Sequence, residues 1–166
     1  AIIGGQCSGE TLGAAPIAEA AGVVMIAPVS SSPDVTDAGD FIFRDYPSDA
    51  LKTKAMANYF AEAGIEKVAI IAENTDFAIA FRDSLVQNLA PDAVVFNEVV
   101  EPNTKDFRSL MTRLKDVEFD IFVADGQTSA TIAAMLQQME EIGIDAQSIS
   151  HDVGEDKSLL DLAPDA

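Results

Sequence analysis

Two short hydroxyl-rich segments follow apolar stretches near the start of the chain. Cys7-Ser8-Gly9-Glu10-Thr11 comes after residues 1–5, and Val29-Ser30-Ser31-Ser32-Pro33 comes after residues 23–28. An apolar strand that ends in small hydroxyl residues before a helix is typical of α/β folds, and such strand ends also bind small anions. Because each segment follows a predicted strand, we expect their hydroxyl groups to form one polar rim.

Residue types that often catalyse reactions or bind metals are scarce in this chain. Cys7 is its only cysteine and His151 its only histidine, which excludes an internal disulfide framework and a histidine-rich metal site. No GxGxxG or GxxxxGK pattern for nucleotide phosphates occurs. The sequence therefore predicts no cofactor and no metal.

The composition also limits the kinds of partner. The chain has 28 acidic and 10 basic residues, and its formal net charge of −18 repels nucleic acids and anionic lipid headgroups. We therefore expect no nucleic-acid partner. With 166 residues and 48% hydrophobic content, the chain can bury a sizeable core.

Apolar strand-like segments alternate with helix-like segments along the chain. The predicted strands are 1–5, 23–28, 41–44, 67–72, 94–100, 120–124 and 146–150. The predicted helices are 12–21, 50–63, 77–89, 105–114 and 129–142. The first of these helices begins near Glu10 or Thr11, so that Pro16 lies close to its first turn, and it ends at Gly22. This alternation predicts an α/β fold with a parallel sheet covered on both faces.

Ligands of such sheets bind beyond the carboxyl ends of the strands. The segments at those ends are 7–11, 27–32, 72–77, 124–128 and 150–152. They contain hydroxyl, amide and carboxylate groups and one aromatic residue, but no lysine or arginine. A small zwitterion fits this set, since hydroxyl and backbone N–H groups bind a carboxylate and a carboxylate binds an amine.

Several ordered segments resemble the type I periplasmic binding proteins of the leucine/isoleucine/valine class. They are Cys7-Ser8, residues 22–28, residues 30–36, Phe41-Ile42-Phe43-Arg44, Val68-Ala69-Ile70-Ile71, Asp76-Phe77, residues 106–110 and residues 120–126. The resemblance covers nearly the whole chain. It implies two lobes, each a doubly wound parallel sheet of flavodoxin-like strand order, which close on a solute. Residues 1–45 would be part of lobe one, and residues 46–166 would be most of lobe two.

The resemblance also implies six ligand-binding residues. Lobe one would supply hydroxyl and backbone groups for the carboxylate of an amino acid, from Ser8, Ser30 and Ser31. Lobe two would supply an aromatic that closes over the ligand, a residue at a second position where aromatics are common, and a carboxylate for the amine; these are Phe77, Gln127 and Asp152.

Purely structural roles are the alternatives for several of these residues. Ser8 can be a helix-capping residue, and Phe77 can belong to the core. His151 is expected in a loop or at a helix cap, and Cys7 as an inert, partly buried thiol. In well-known members of the class, the cysteine before the serine pairs with an upstream cysteine, which would lie outside this chain.

The function that the resemblance implies is solute binding for an ABC-type uptake system in the periplasm. The solute would be a branched-chain or other small amino acid, the partners would be the transporter's membrane subunits, and no catalysis would occur. A ligand-sensing regulatory domain of the same fold is an alternative. A hydrolase with Ser8 or Cys7 as nucleophile and His151 as base is a weaker one, because no GxSxG elbow is present. Self-association of this partial chain through an exposed sheet is also expected.

Overall fold

The computed structural model describes residues 1–163, which form two separate parallel sheets packed against helices. The strands are β1 (Ile2–Ile3), β2 (Met25–Ala27), β3 (Ile42–Arg44), β4 (Val68–Glu73), β5 (Val94–Val100), β6 (Ile121–Asp125) and β7 (Gln147–Ile149). The helices are α1 (Ser8–Ala20), α2 (Asp49–Ala63), α3 (Asp76–Asn88), α4 (Arg108–Lys115), α5 (Ser129–Glu141) and α6 (Lys157–Leu162). Residues Pro33–Asp37 and Asp152–Glu155 form short 3-10 helices.

The larger sheet has the strand order β5-β4-β6-β7, which is the flavodoxin-like order, and confirms the predicted parallel α/β fold. Its two central strands are buried on both faces because their side chains alternate between two cores. Val68 and Ile70 of β4 pack with Phe60, Phe81 and Leu85 from α2 and α3. The intervening residues of β4 pack instead against α4 and α5 in a second core. Continuous apolar strands with helices on both sides are what a doubly wound sheet requires.

The smaller sheet has the order β1-β2-β3 and is covered on one face only by the described residues. Met25 and Ile42 pack with alanines of α1 in a small core. The other face carries Ile3, Ile26 and Phe43, which are in register across the three strands. Their exposed fractions are 81%, 37% and 49%, so this apolar face is largely open to solvent.

Local sequence signals explain where most helices begin and end. Ser48, Thr75 and Thr128 each precede a helix and accept a hydrogen bond from a backbone N–H of its first turn. Gly64 ends α2 with φ of 71°, a left-handed conformation that glycine adopts without strain. No helix within residues 1–163 is long and apolar enough to cross a membrane.

The structure departs from the predicted elements at a few positions. Helix α1 begins at Ser8 and not near Thr11, because the Glu10 carboxylate accepts the N–H groups of Gln6 and Cys7 and closes the first turn. Pro16 therefore lies inside the helix and not near its first turn. Helix α4 begins three residues later than expected. Both 3-10 helices and α6 have no counterpart in the prediction.

Candidate ligand-binding cleft

The carboxyl ends of strands from both sheets face a common cleft of about 260 Å³. Its lining comes from the segments after β1, β2, β3, β4, β6 and β7: Gln6, Cys7, Ser8, Val29, Ser31, Tyr46, Phe77, Gln127, Asp152 and Val153. Helices α1 and α3 approach closely beside this cleft, since a Cβ atom on Gly9 of α1 would lie 2.5 Å from the carboxylate of Asp76 on α3. The volume suits a small solute, because sites for drug-sized ligands measure about 300–1,000 Å³.

Five of the six predicted site residues line this cleft: Ser8, Ser31, Phe77, Gln127 and Asp152. Their convergence was expected from the rule that parallel strands present ligand sites at their carboxyl ends. Whether any of them contacts a ligand stays a prediction.

Ser8 and Ser31 bring hydroxyl groups to the first-sheet side of the cleft. Ser8 is the first residue of α1, and its Oγ accepts the N–H of Ser32 at 3.2 Å. Arg44 holds the same loop by donating to the carbonyl oxygen of Ser32 at 2.7 Å. A helix N-terminus carries partial positive charge and free N–H groups, so this side of the cleft is suited to a carboxylate.

Ser30 lies below the cleft surface and is only 1% exposed. Its hydroxyl contacts Thr11 Oγ1 at 2.6 Å and donates to the carbonyl oxygen of Gly5 at 2.9 Å. These contacts join the loops after β1 and β2, so Ser30 has a structural role in this conformation. Its predicted contact with a ligand has no support from this geometry.

Phe77 and Gln127 lie on the second-sheet side of the cleft. Phe77 is 6% exposed, so its ring belongs to the core and lines the cleft at the same time. The backbone N–H of Gln127 donates to Glu73 Oε2 at 2.8 Å, and Asn103 N–H donates to Glu73 Oε1 at 2.9 Å. Glu73 ends β4, and its buried carboxylate thus holds the loop that carries Gln127.

Asp152 is joined to two residues that come before the second sheet. Its Oδ2 accepts the Tyr46 hydroxyl at 2.6 Å, and its Oδ1 accepts Lys52 Nζ at 2.8 Å. Lys52 Nζ also lies 2.9 Å from Asp49 Oδ1. That contact is an ion pair without the angles of a hydrogen bond, since neither carboxylate oxygen of Asp49 has a partner of hydrogen-bond geometry among residues 1–163.

These contacts set the charges at the cleft. Partial burial tends to raise the pKa of Asp152, but the hydrogen bonds from Lys52 and Tyr46 outweigh burial and hold it below its usual range. The hydrogen bond to Asp152 raises the pKa of the Tyr46 hydroxyl. Burial opposes the charge of Lys52, yet its two carboxylate partners raise the pKa of Lys52 overall. Asp152 is therefore an ionised carboxylate whose charge Lys52 already balances in part.

A buried carboxylate and imidazole lie directly behind the cleft. Asp125 ends β6, and its Oδ1 lies 3.1 Å from His151 Nε2. Both side chains have no exposed surface. Burial raises the pKa of Asp125 to about 6, although the hydrogen bond from His151 acts in the opposite direction.

Sequence reasoning missed Tyr46, Lys52 and Glu73. Tyr46 follows the predicted strand 41–44 and Glu73 lies in the strand-end segment 72–77, so the rule of strand ends could have found both. Lys52 carried no such signal, since a charged residue in a helix is usually solvated.

The structure also decides two of the alternative roles. Cys7 is exposed at the rim of the cleft, so the expected partial burial was wrong. His151 does act as a cap, because its Nδ1 accepts the N–H of Val153. Neither Ser8 nor Cys7 shares a hydrogen bond with His151 among residues 1–163, so this conformation pairs neither candidate nucleophile of the hydrolase alternative with its base.

Larger hollows occur elsewhere, and two of them measure about 570 Å³ beside the 3-10 helix Pro33–Asp37 and α3, and about 610 Å³ beside β7 and α2. The smaller cleft is the better candidate, because it gathers the segments after six strands of both sheets, where α/β folds bind ligands, whereas the hollow beside α3 reaches only those after β2 and β4.

The fold is that of the lobes of type I periplasmic binding proteins. The periplasmic binding protein family matches residues 1–166, and the chain belongs to that family.

The chain is also similar to individual binding proteins and to their solved structures. The chain is 28% identical over 166 residues to the Leu/Ile/Val-binding protein of Citrobacter freundii, and the match covers 98% of this chain and 45% of that protein. It resembles the crystal structure of a leucine-binding protein from Thermotoga maritima with a TM-score of 0.90 at 22% identity, covering 99% of this chain and 48% of that one.

An ABC transporter substrate-binding protein from Desulfitobacterium hafniense, crystallised in complex with Leu, is 29% identical to this chain and has a TM-score of 0.69. The match covers 93% of this chain and 47% of that one. The chain thus spans a little under half the length of these relatives.

Proposed function

We propose that this chain is part of the substrate-binding component of an ABC-type uptake system for branched-chain or other small amino acids. The observation that supports the proposal most directly is the cleft at which strand ends of both sheets meet. The names of the relatives, a Leu/Ile/Val-binding protein and a leucine complex, are consistent with such a ligand. The protein would act in the periplasm with the transporter's membrane subunits and without catalysis.

In this proposal the two sheets belong to two lobes, with residues 1–45 in lobe one and residues 46–166 in lobe two. Binding would bring both lobes onto the solute, so neither lobe alone would have the full affinity. The close approach of α1 to α3, where a Cβ atom on Gly9 would meet the Asp76 carboxylate, is consistent with such closure.

The cleft suggests an orientation for the ligand. Its carboxylate would lie at the N-terminus of α1 near Ser8 and Ser31, where hydroxyl and N–H groups are available. Its amine would approach Asp152, whose carboxylate can accept further hydrogen bonds beyond those from Tyr46 and Lys52. Phe77 and Gln127 would contact the side chain of the amino acid.

Calorimetric titration tests the proposal. The full polypeptide that carries this sequence is titrated with leucine, valine, alanine and glutamate, and with 4-hydroxybenzoate as an acid without an amine. Saturable binding of an aliphatic amino acid, without chemical change of the ligand, is the expected result. Binding of only the hydroxybenzoate would contradict the assigned ligand class, and turnover of any compound would contradict a binding role.

A further inference from the structure

His151 connects two parts of the cleft that are far apart in sequence. Its Nδ1 accepts the N–H of Val153 at 3.3 Å, and this contact caps the 3-10 helix that carries Asp152. Because Nδ1 accepts a hydrogen bond, the proton of the neutral ring lies on Nε2 and is donated to Asp125. Asp125 therefore selects one tautomer of His151.

The same imidazole supports the aromatic wall of the cleft. Its ring meets Phe77 edge to face, with centroids 4.8 Å apart and an angle of 81°. A second contact joins the imidazole to Phe81, with centroids 5.0 Å apart. Edge-to-face packing of this kind fixes the relative orientation of rings. A shift of His151 would thus move Phe77 and the turn of Asp152 together.

Charged groups surround this pair from every neighbouring element. Asp125 comes from β6, Asp49 and Lys52 from α2, and Arg82 from α3, and Asp49 and Arg82 act electrostatically on Asp125. From its own turn, Asp152 places Oδ1 3.9 Å from His151 Nδ1. Asp125 Oδ2 has no hydrogen-bond partner among residues 1–163.

An additional proton would disturb this arrangement. Burial raises the pKa of Asp125 to about 6, so its carboxylate takes up a proton in mildly acidic solution. A proton on Asp125 weakens the acceptor for Nε2–H. This change releases the position that the imidazole holds.

We propose that His151, held in one tautomer by Asp125, is a positioning residue that fixes Phe77 and Asp152 for the ligand, and that acidification weakens ligand binding through this pair. The inference rests on the proposed function, in which the cleft binds a solute.

The first test measures the pH dependence of affinity, with L-leucine as the probe. In the unsubstituted protein, the dissociation constant should rise about tenfold between about pH 7.5 and about pH 5. In Asp125→Asn, whose amide oxygen still accepts Nε2–H, the rise should be less than about twofold. The control Gln138→Leu removes a buried side chain that binds Phe107 N–H and Lys105 O, and should keep the unsubstituted profile. The same profile in Asp125→Asn and the unsubstituted protein would overturn the proposal.

The second test needs no ligand, and so separates this inference from the proposed function. Nitrogen-15 NMR of the imidazole, assigned with His151→Gln, should show a protonated Nε2 and an unprotonated Nδ1 near neutral pH. In His151→Gln, hydrogen exchange at Val153 N–H should accelerate at least about tenfold relative to Gln138→Leu. The opposite tautomer or unchanged exchange would overturn the positioning role. If no solute binds while these signals appear as expected, the proposed function fails and the arrangement around His151 is supported.

If His151→Gln does not fold, two other results still test the proposal. They are the tautomer of His151 in the unsubstituted protein and the free energy of unfolding of Asp125→Asn. The ring signals are then assigned by selective labelling of histidine. A protonated Nδ1 at neutral pH remains the result that rejects the proposal.

Discussion

The two sheets are built from similar apolar strands but differ in how completely they are covered. Phe122 in the second sheet is fully buried between its strand neighbours and the helices α4 and α5. Phe43 in the first sheet is 49% exposed, and it lies beside Ile26 on an open face. A strand pattern thus specifies that a face is apolar, whereas the covering of that face depends on elements elsewhere in the polypeptide.

Alanine substitutions at the two phenylalanines should show the largest difference. Phe122→Ala leaves a cavity in a closed core and should lower the free energy of unfolding by about 3–5 kcal/mol. Phe43→Ala removes a half-exposed ring and should cost less than about 1 kcal/mol. Urea unfolding followed by circular dichroism measures both, since the sequence contains no tryptophan. Equal costs would mean that the exposed face is covered in solution.

The second sheet also buries an ionisable group, which gives a pH-dependent test. Burial raises the folded-state pKa of Asp125 to about 6, above that of the unfolded chain, so its ionisation costs stability. The cost is absent at low pH and appears as the pH rises to about 7. The stability of Asp125→Asn relative to the unsubstituted protein should therefore increase by about 2 kcal/mol between about pH 4 and about pH 7.

Thermal or urea unfolding at several pH values measures this difference. Because other carboxylates titrate in the same range, only the difference between the two proteins is informative. A difference that does not change with pH would show that the pKa of Asp125 is the same in the folded and unfolded states.

Two serines of the first sheet should separate stability from binding. Ser30→Ala removes the buried contacts to Thr11 and Gly5 and should cost about 1–2 kcal/mol of stability, with little change in affinity. Ser8→Ala should weaken L-leucine binding about fivefold to tenfold and leave folding intact. Calorimetry and urea unfolding on the same samples measure both effects. The reverse pattern would place Ser30, and not Ser8, in the binding site.

The exposed face of the first sheet should cause weak self-association of the isolated 166-residue chain. Ile3 is 81% exposed on that face, so Ile3→Lys should reduce the associated fraction without loss of stability. Ile17 on α1 is also exposed, at 75%, but lies outside the sheet face, and Ile17→Lys is the matched control. Sedimentation velocity distinguishes the species. A monodisperse monomer before any substitution would contradict the expectation.

Periodicity predicted the existence and type of most elements because their signals are local. The apolar run at 67–72 became β4, and the predicted helix 50–63 became α2. The start of α1 was missed, since it depends on Glu10 closing the turn through Gln6 and Cys7. The short 3-10 helices and α6 were missed because they lack a hydrophobic period.

The sequence by itself determined the α/β fold, the family and the strand ends at which a ligand site was expected, because each of these follows from local order along the chain. Only the tertiary structure decided which polar groups face the cleft. Ser30 is turned inward by Thr11, and Asp152 is paired with Lys52 and Tyr46, about a hundred residues earlier in the chain. The placement of His151 between Asp125 and Phe77 is likewise a tertiary result. Such long-range contacts arise from the packing of whole elements, and no local pattern encodes them.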